Sequence, residues 1–301
     1  SGEITLAEGE TTVTYIVAGS SVAINFDDGS EPESTFNGAL FTVPGREVKD
    51  GKVLVGWNCG EDFYPVGTVI TVPNGITALD FMGVWAETPL TIYVDYTNGD
   101  DTAIGIDAAS PVKTFNRVNT IVTNLNVDVT IKLLGDYSSA EAKESHTLPQ
   151  INGKLTVDGN GTATLYYHGG LTVRSDVEFT NITFNCTKNS KHIQGNAHNI
   201  TFGEGFKKAS GSYGLNVHSG TGNGNLNADQ TITVNSGTVT IQAGQFYIPN
   251  GQTMTWTGNF KLVVNGGAVD FVFGDGYGEV QGGFKLIGNI EIVHNGGRIV
   301  S

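Results

Sequence analysis

Asp95, Asn98, Asp100, Asp101 and Asp107 crowd one short stretch of the chain. Hard oxygen donors at such spacing suit a calcium ion, which takes about six to eight of them. The stretch lacks the full spacing of an EF-hand loop, so ordinary capped turns compete with a structural calcium held by Asp95, Asp100, Asp101 and Asp107. A second group is basic. Arg174, Lys188, Lys191, Lys207 and Lys208 lie close together in sequence, with His192 and His198 among them. If the chain stacks on itself, such residues become neighbours in space and form a basic patch for an anionic sugar, a uronate or a sulfated glycan. Scattered solvated turns are the alternative. His192 and His198 lack a third partner that would make them metal ligands. The third group is acidic: Asp270, Asp275 and Glu279, near Phe271, Phe273 and Tyr277. Glycoside hydrolysis needs two carboxyl groups at a set separation. Solvated turns between strands explain this group better, and Asp100-Asp101 is a pair in a loop ahead of the repeats. No catalytic residue is assigned.

The charge balance narrows the partners. Sixteen Lys and Arg face thirty Asp and Glu, a formal net charge of −14. Nucleic acids and anionic membrane surfaces both need cations, so neither is an expected partner. Charged residues are only 15% of the chain and glycines number 42. Low charge with frequent Thr, Val, Gly and Asn favours strands joined by tight turns. Cys59 and Cys186 are far apart and make no CxxC or CxxH pattern, so a structural zinc is not expected. No apolar window is long enough to span a membrane. The chain opens Ser1-Gly2-Glu3, which reads as a fragment whose targeting segment has been removed, and an extracellular or cell-surface place is expected.

Two parts read differently, 1–87 and 88–301, with Thr88-Pro89 between them. The first carries short apolar runs at Val13–Val17, Val22–Phe26, Leu40–Val43, Val53–Trp57, Val69–Val72 and Phe81–Trp85, separated by Asp28-Gly29, Asn37-Gly38, Pro44-Gly45, Asp50-Gly51 and Asn74-Gly75. Val22-Ala-Ile-Asn-Phe-Asp-Asp-Gly29, Phe41-Thr-Val-Pro44, Leu54-Val-Gly-Trp57, Tyr64, Gly67 and Val84-Trp85 follow in order. This segment resembles the internalin-type B-repeat, also called the Listeria–Bacteroides repeat. The resemblance implies a compact β-grasp-like module of bacterial surface proteins, without catalysis. Trp57 and Trp85 would supply its core, because a domain so small needs large apolar side chains.

The second part opens with Thr91-Ile-Tyr-Val-Asp95, a polar loop, Ser110-Pro111 and Lys113-Thr-Phe115. Phe115, Val118, Val122 and Leu125 form one helical stripe, with Thr114 as N-cap. Val129-Thr-Ile-Lys-Leu-Leu-Gly-Asp-Tyr137 follows as strand and turn. This order resembles the opening of pectin-lyase-like right-handed parallel β-helices, in which a short helix covers the first coil.

From residue 155 onward, apolar–polar–apolar triplets recur. Leu155-Thr-Val157 returns as Leu171-Thr-Val173, and Asn181-Ile-Thr-Phe184 as Asn199-Ile-Thr-Phe202. Ile232-Thr-Val234, Val239-Thr-Ile241, Phe246-Tyr-Ile248, Met254-Thr-Trp256, Leu262-Val-Val264 and Val269-Asp-Phe271 continue the beat. Val264-Asn-Gly-Gly267 is echoed by His294-Asn-Gly-Gly297. Self-similarity of this kind marks a stacked repeat, with two or three strands per coil. An antiparallel sandwich competes, since Asn-Gly is also a hairpin signal. The Asn-x-Thr sequences at Asn160, Asn181, Asn185 and Asn199 read as turn Asn followed by strand Thr. The chain ends without a capping pattern, so the expectation is that the natural protein continues beyond Ser301 or that another element covers its last coil. The expected function is a non-catalytic, adhesin-like or glycan-binding scaffold, with partners among host or plant glycans and surface proteins and no cofactor required. A polysaccharide lyase or glycoside hydrolase acting on acidic polysaccharide is the alternative.

Overall fold

The structure is a computed structural model that describes residues 20–189, 191–220, 225–244, 251–273 and 283–300. The strands expected at Val13–Val17 and Phe246-Tyr-Ile248 lie outside these residues. The fold is mostly β, with one helix and several parallel sheets. The chain divides into two compact units. One comprises the described residues up to Pro44 together with Gly56–Val84; the other comprises Gly45–Val55 and the described residues from Trp85 onward.

A five-stranded sheet runs in the order Glu33–Phe36, Ser21–Phe26, Ala78–Glu87, Lys52–Cys59, Asp62–Pro65. Ser21–Phe26 pairs antiparallel with Glu33–Phe36 but parallel with Ala78–Glu87. Leu40–Thr42 and Val69–Thr71 form a separate antiparallel ribbon. Alternation in Ser21–Phe26 sends Val22, Ile24 and Phe26 inward, where all three are buried. Trp57 is fully enclosed. Its ring lies 4.7 Å from that of Phe26, and its Nε1 donates to the Pro44 carbonyl at 2.8 Å. Gly56 precedes it because a Cβ there would meet the Tyr64 carbonyl at 2.4 Å. Trp85, four residues along its strand from buried Phe81, is only half-buried. The expected core role therefore holds for Trp57 and not for Trp85.

After the cis Thr88-Pro89 bond, every strand pairing among the described residues is parallel, which excludes the antiparallel sandwich. The longest ladder has eight strands and runs from Leu90–Val94 through Val129–Leu133, Leu155–Asp158, Val177–Thr180, Ile200–Phe202, Gln230–Val234 and Phe260–Val264 to Ile290–His294. A second ladder has seven, from Ser145–Thr147 through Gly170–Thr172, His192–Gln194, Asn216–His218, Thr238–Ala243 and Ala268–Phe273 to Arg298–Val300. Two three-stranded ladders complete the set: Thr164–Tyr167, Thr183–Cys186 and Lys207–Lys208, then Leu226–Asn227, Thr253–Thr257 and Gly283–Ile287. The chain visits the ladders in turn, so each strand's neighbour comes from the next circuit.

The triplets work as alternation requires. In Leu155–Asp158 and Val177–Thr180, Leu155, Val157, Val177 and Phe179 are buried, and the residues between them are half-exposed. Phe179, Phe184, Phe202 and Phe206 join ring to ring at 4.7–5.9 Å, each essentially without solvent contact. Burial of this apolar surface is the main stabilising term. The circuits change length along the chain. Side-chain bonds link residues 23 apart at Asp176 and Asn199, 32 apart at Asn199 and Thr231, and 30 apart at Asp229 and Asn259. The 30-residue interval then repeats for Asn259 with Asn289, Asn235 with Asn265, and Asn265 with Asn295. The Asn-Gly-Gly turns fit because a Cβ on Gly267, at φ 71°, would meet the Gly237 carbonyl at 2.4 Å. At the edge of the long ladder Ile290 and Ile292 are exposed, whereas their register partners Phe260 and Leu262 are buried.

The helix spans Phe115–Val122. Thr114 caps it, its Oγ1 accepting from the Arg117 amide at 3.2 Å. The buried stripe is Phe115, Val118, Ile121 and Val122. Leu125 is buried just beyond the helix end. Asn160 and Asn181 adopt positive φ and are turn residues as expected, but Asn185 lies within Thr183–Cys186.

Candidate functional site

The aspartates of the loop after Leu90–Val94 are engaged by the loop itself. Asp95 accepts from the backbone amides of Thr97 and Asn98 and from Asn98 Nδ2. Burial would raise its carboxyl, but those bonds win and hold it below the usual range. Asp100 accepts from the Thr102 amide, which lowers it, and Asp107 from the Ala109 amide. Asp101 reaches farthest. Its Oδ1 accepts from the amides of Lys113 and Thr114 at 2.8 and 2.9 Å, and its Oδ2 from Thr114 Oγ1 at 2.7 Å. Among the described residues no group of three or more His, Cys, Asp or Glu is close enough to hold a metal ion.

The basic residues do not all converge. Arg174 donates to Gln150 Oε1 and faces a groove of about 600 Å³ lined also by Asn152, Lys154, Asp176 and His198. There Lys154 is ion-paired with Glu178, and His198 Nδ1 lies 3.8 Å from Asp176. Burial lowers the His198 pKa against the opposing pull of Asp176. His192 lies apart, its ring 4.3 Å from that of His218. Lys207 and Lys208 line a smaller groove with Gly237 and Thr238.

Lys188, Lys191 and Lys208 lie on segments close to Cys186 in the fold: Lys188 and Lys191 follow it in sequence, and Lys208 pairs in register with Phe184, two residues before it. The strands Thr164–Tyr167 and Thr183–Cys186 end in register, Tyr167 against Cys186, and Phe184 pairs with Lys208 of the next circuit. The turns that follow are tied to one another. His168 Nδ1 lies 3.0 Å from Thr187 Oγ1, the Thr187 amide donates to the Tyr167 carbonyl, and the Cys186 thiol donates to the Lys188 carbonyl. The circuit before joins the same place, since the amides of His168 and Gly169 both donate to the Glu144 carbonyl. That brings in Lys143, which sequence reading missed. Lost solvation, then Lys188, Lys143 and Lys191, lower the His168 pKa. Burial raises the Cys186 thiol, and Lys191 and Lys208 oppose that shift. Among the described residues, no carboxylate pairs with these four lysines. The neighbouring Glu144 carboxylate instead accepts from the hydroxyls of Tyr96 and Ser138.

In the acidic group, Asp270 is an exposed residue of Ala268–Phe273. Asp275, Tyr277 and Glu279 lie outside the described residues. No protein-family model, curated protein or solved structure matches this chain.

Proposed function

We propose that the chain is a non-catalytic, secreted or cell-surface bacterial scaffold that binds an acidic glycan. In this reading a β-grasp-like B-repeat module precedes a right-handed parallel β-helix. The helix is supported by parallel ladders visited in turn, with inward Leu, Val, Ile and Phe alternating with outward polar residues. Right-handedness follows from the strong chiral preference of parallel crossovers. The observation that supports the function is the placement of Lys188, Lys191 and Lys208 on neighbouring turns and strands, with no carboxylate ion-paired to them or to Lys143 among the described residues of a chain of net charge −14. Leaving like charges together costs stability, and an anionic ligand offsets that cost.

The test is a panel of acidic and neutral polysaccharides, scored for retention of the protein and, with and without calcium, for new reducing ends or unsaturated products. Retention by the acidic members with no product is the expected result. Product release would replace this reading with a polysaccharide lyase or hydrolase, and retention by none would overturn it.

A further inference from the structure

We infer, resting on the acidic-glycan reading, that the groove lined by Gln150, Lys154, Arg174, Asp176 and His198 holds one sugar ring of that glycan, with Arg174 taking the oxyanion the ring carries. Three successive circuits build this groove. Residues 150–154, 174–176 and 198–199 lead into strands of the long ladder at Leu155, Val177 and Ile200. Register sets the three segments side by side: the Leu155 amide donates to the Asp176 carbonyl, and the Val177 amide to the Asn199 carbonyl. Ser175, 4% exposed, pins two of them together. Its Oγ accepts from the Ile151 amide at 2.8 Å and donates to the Ile151 carbonyl at 3.2 Å. A Cβ on Gly153 would meet the Val127 carbonyl at 2.5 Å, so the first segment also runs tight against the circuit before it. Walls fixed in this way need little reordering when a ligand enters, which favours affinity. The volume, about 600 Å³, falls within the range of about 300–1,000 Å³ for small-ligand sites.

The side chains favour an anionic group in the groove. Lys154 is matched by Glu178. Asp176 is the carboxylate among the lining residues, and it is satisfied nearby: Oδ1 accepts from the Asn199 amide at 2.9 Å and Oδ2 from Asn199 Nδ2 at 2.7 Å. Arg174 is different. It is exposed, it donates from Nη2 to Gln150 Oε1, and among the described residues no carboxylate pairs with it. A guanidinium has five N–H donors in one rigid plane, so one bond to an amide orients it and leaves donors for an oxyanion. Gln150, its Oε1 spent on Arg174, contributes an NH2 beside it. A carboxylate or a sulfate ester on a sugar ring accepts from such a set, and the ring hydroxyls suit the neutral polar side chains of Asn152 and Thr201 that also line the groove.

The experiment is calorimetric titration of the whole chain with a galacturonate tetramer, its methyl ester, a sulfated galactose tetramer and the unmodified galactose tetramer. One or both charged tetramers are expected to bind at least about tenfold more tightly than their neutral counterparts, and the arm that binds names the oxyanion. R174Q is expected to lose about tenfold or more of that affinity. Q150E, which gives the guanidinium a carboxylate of its own, is expected to lose binding as well. K113Q, with the same change in net charge as R174Q, is expected to keep it. Unchanged affinity in both R174Q and Q150E would overturn the groove as the site while leaving the acidic-glycan reading standing. Equal losses in R174Q and K113Q, or equal binding of the neutral tetramers, would overturn the role of Arg174. Binding of neither charged tetramer would overturn the groove, and if acidic polysaccharides also fail to retain the protein, the acidic-glycan reading falls with it.

Discussion

The imidazoles of His192 and His218 face one another from adjacent strands of the second ladder, ring centroids 4.3 Å apart, and His218 is 3% exposed. Burial pushes His218 down to about 3, with His192 adding to the shift, and His192 down to about 4, with Lys191 adding to it. An unfolded imidazole takes its proton near 6.5. Between these values the unfolded chain binds more protons than the folded one. Stability from this pair is therefore complete above pH 6.5 and falls as the medium is acidified toward the folded values. The slope is about 1.4 kcal/mol per pH unit for a fully buried imidazole. In register, His218 lies between Gln194 and Gln242, so His218→Gln places an uncharged side chain within a row of glutamines. Urea midpoints across this range are expected to drop with acid in the wild type and less steeply in H218Q, which keeps the His192 contribution. Parallel declines would assign the acid sensitivity to other groups.

Asp101 fastens the loop to the start of the helix. Its carboxylate takes two backbone amides and one hydroxyl, and the Arg117 side chain donates to the Ala103 carbonyl from the next turn. Asp101→Ala is expected to cost about 1–2 kcal/mol, the range for a lost cap with orphaned donors. Thermal melting with EDTA and with millimolar calcium checks the cause. Capping requires the same loss in both, and a loss confined to calcium would make Asp101 a metal ligand.

Trp57→Phe removes the indole N–H that reaches the Pro44 carbonyl and leaves a gap beside Phe26. A cavity and an unmet carbonyl together are expected to cost about 2–3 kcal/mol. Trp85→Phe, at a half-buried position, is expected to cost less. Urea unfolding of the two variants, followed by the remaining tryptophan fluorescence, compares them. A Trp85 variant as unstable as the Trp57 variant would contradict the burial described.

The beat of triplets in the sequence marked the strands, because alternation alone decides which face is apolar. Leu155, Val157, Val177 and Phe179 are buried as that pattern demands. Thr114 and the Phe115 stripe were legible for a similar reason, since both are local. The lysine group was legible only in part. Its segments are set side by side by the register between circuits, and from Val129 onward register partners lie from 19 residues apart, at Thr164 and Thr183, to 32, at Ile200 and Ile232. Lys188, Lys191 and Lys208 are near enough in sequence to be noticed together. His168 is tied to Glu144, the residue after Lys143, and to Thr187 by bonds that no spacing rule announces. The His192 and His218 pair was missed on the same ground. Arg174 was grouped with the lysines by sequence distance, but its strand end leads to a different corner of the circuit.

Two asparagine rows make a sharper test of the 30-residue circuits. In one, Asn265 donates through Nδ2 to Asn235 Oδ1 and accepts from Asn295 Nδ2, each at 2.8 Å. In the other, Asn259 donates from its backbone amide and its Nδ2 to the Asp229 carboxylate, and its Oδ1 accepts from the Asn289 amide. Asn265→Asp keeps the acceptor for Asn295 and loses the donor to a neutral amide, an exposed change expected to cost about 0.5–1 kcal/mol. Asn259→Asp loses a donor as well, but it also sets a second carboxylate against Asp229. Like charges so placed repel, and surface repulsion weakens as salt rises. N259D is therefore expected to melt lower than N265D at low ionic strength, with the gap narrowing near molar salt. If the two melt alike at every salt concentration, the Asp229 carboxylate does not sit against residue 259, and the stacking of these circuits is not as described.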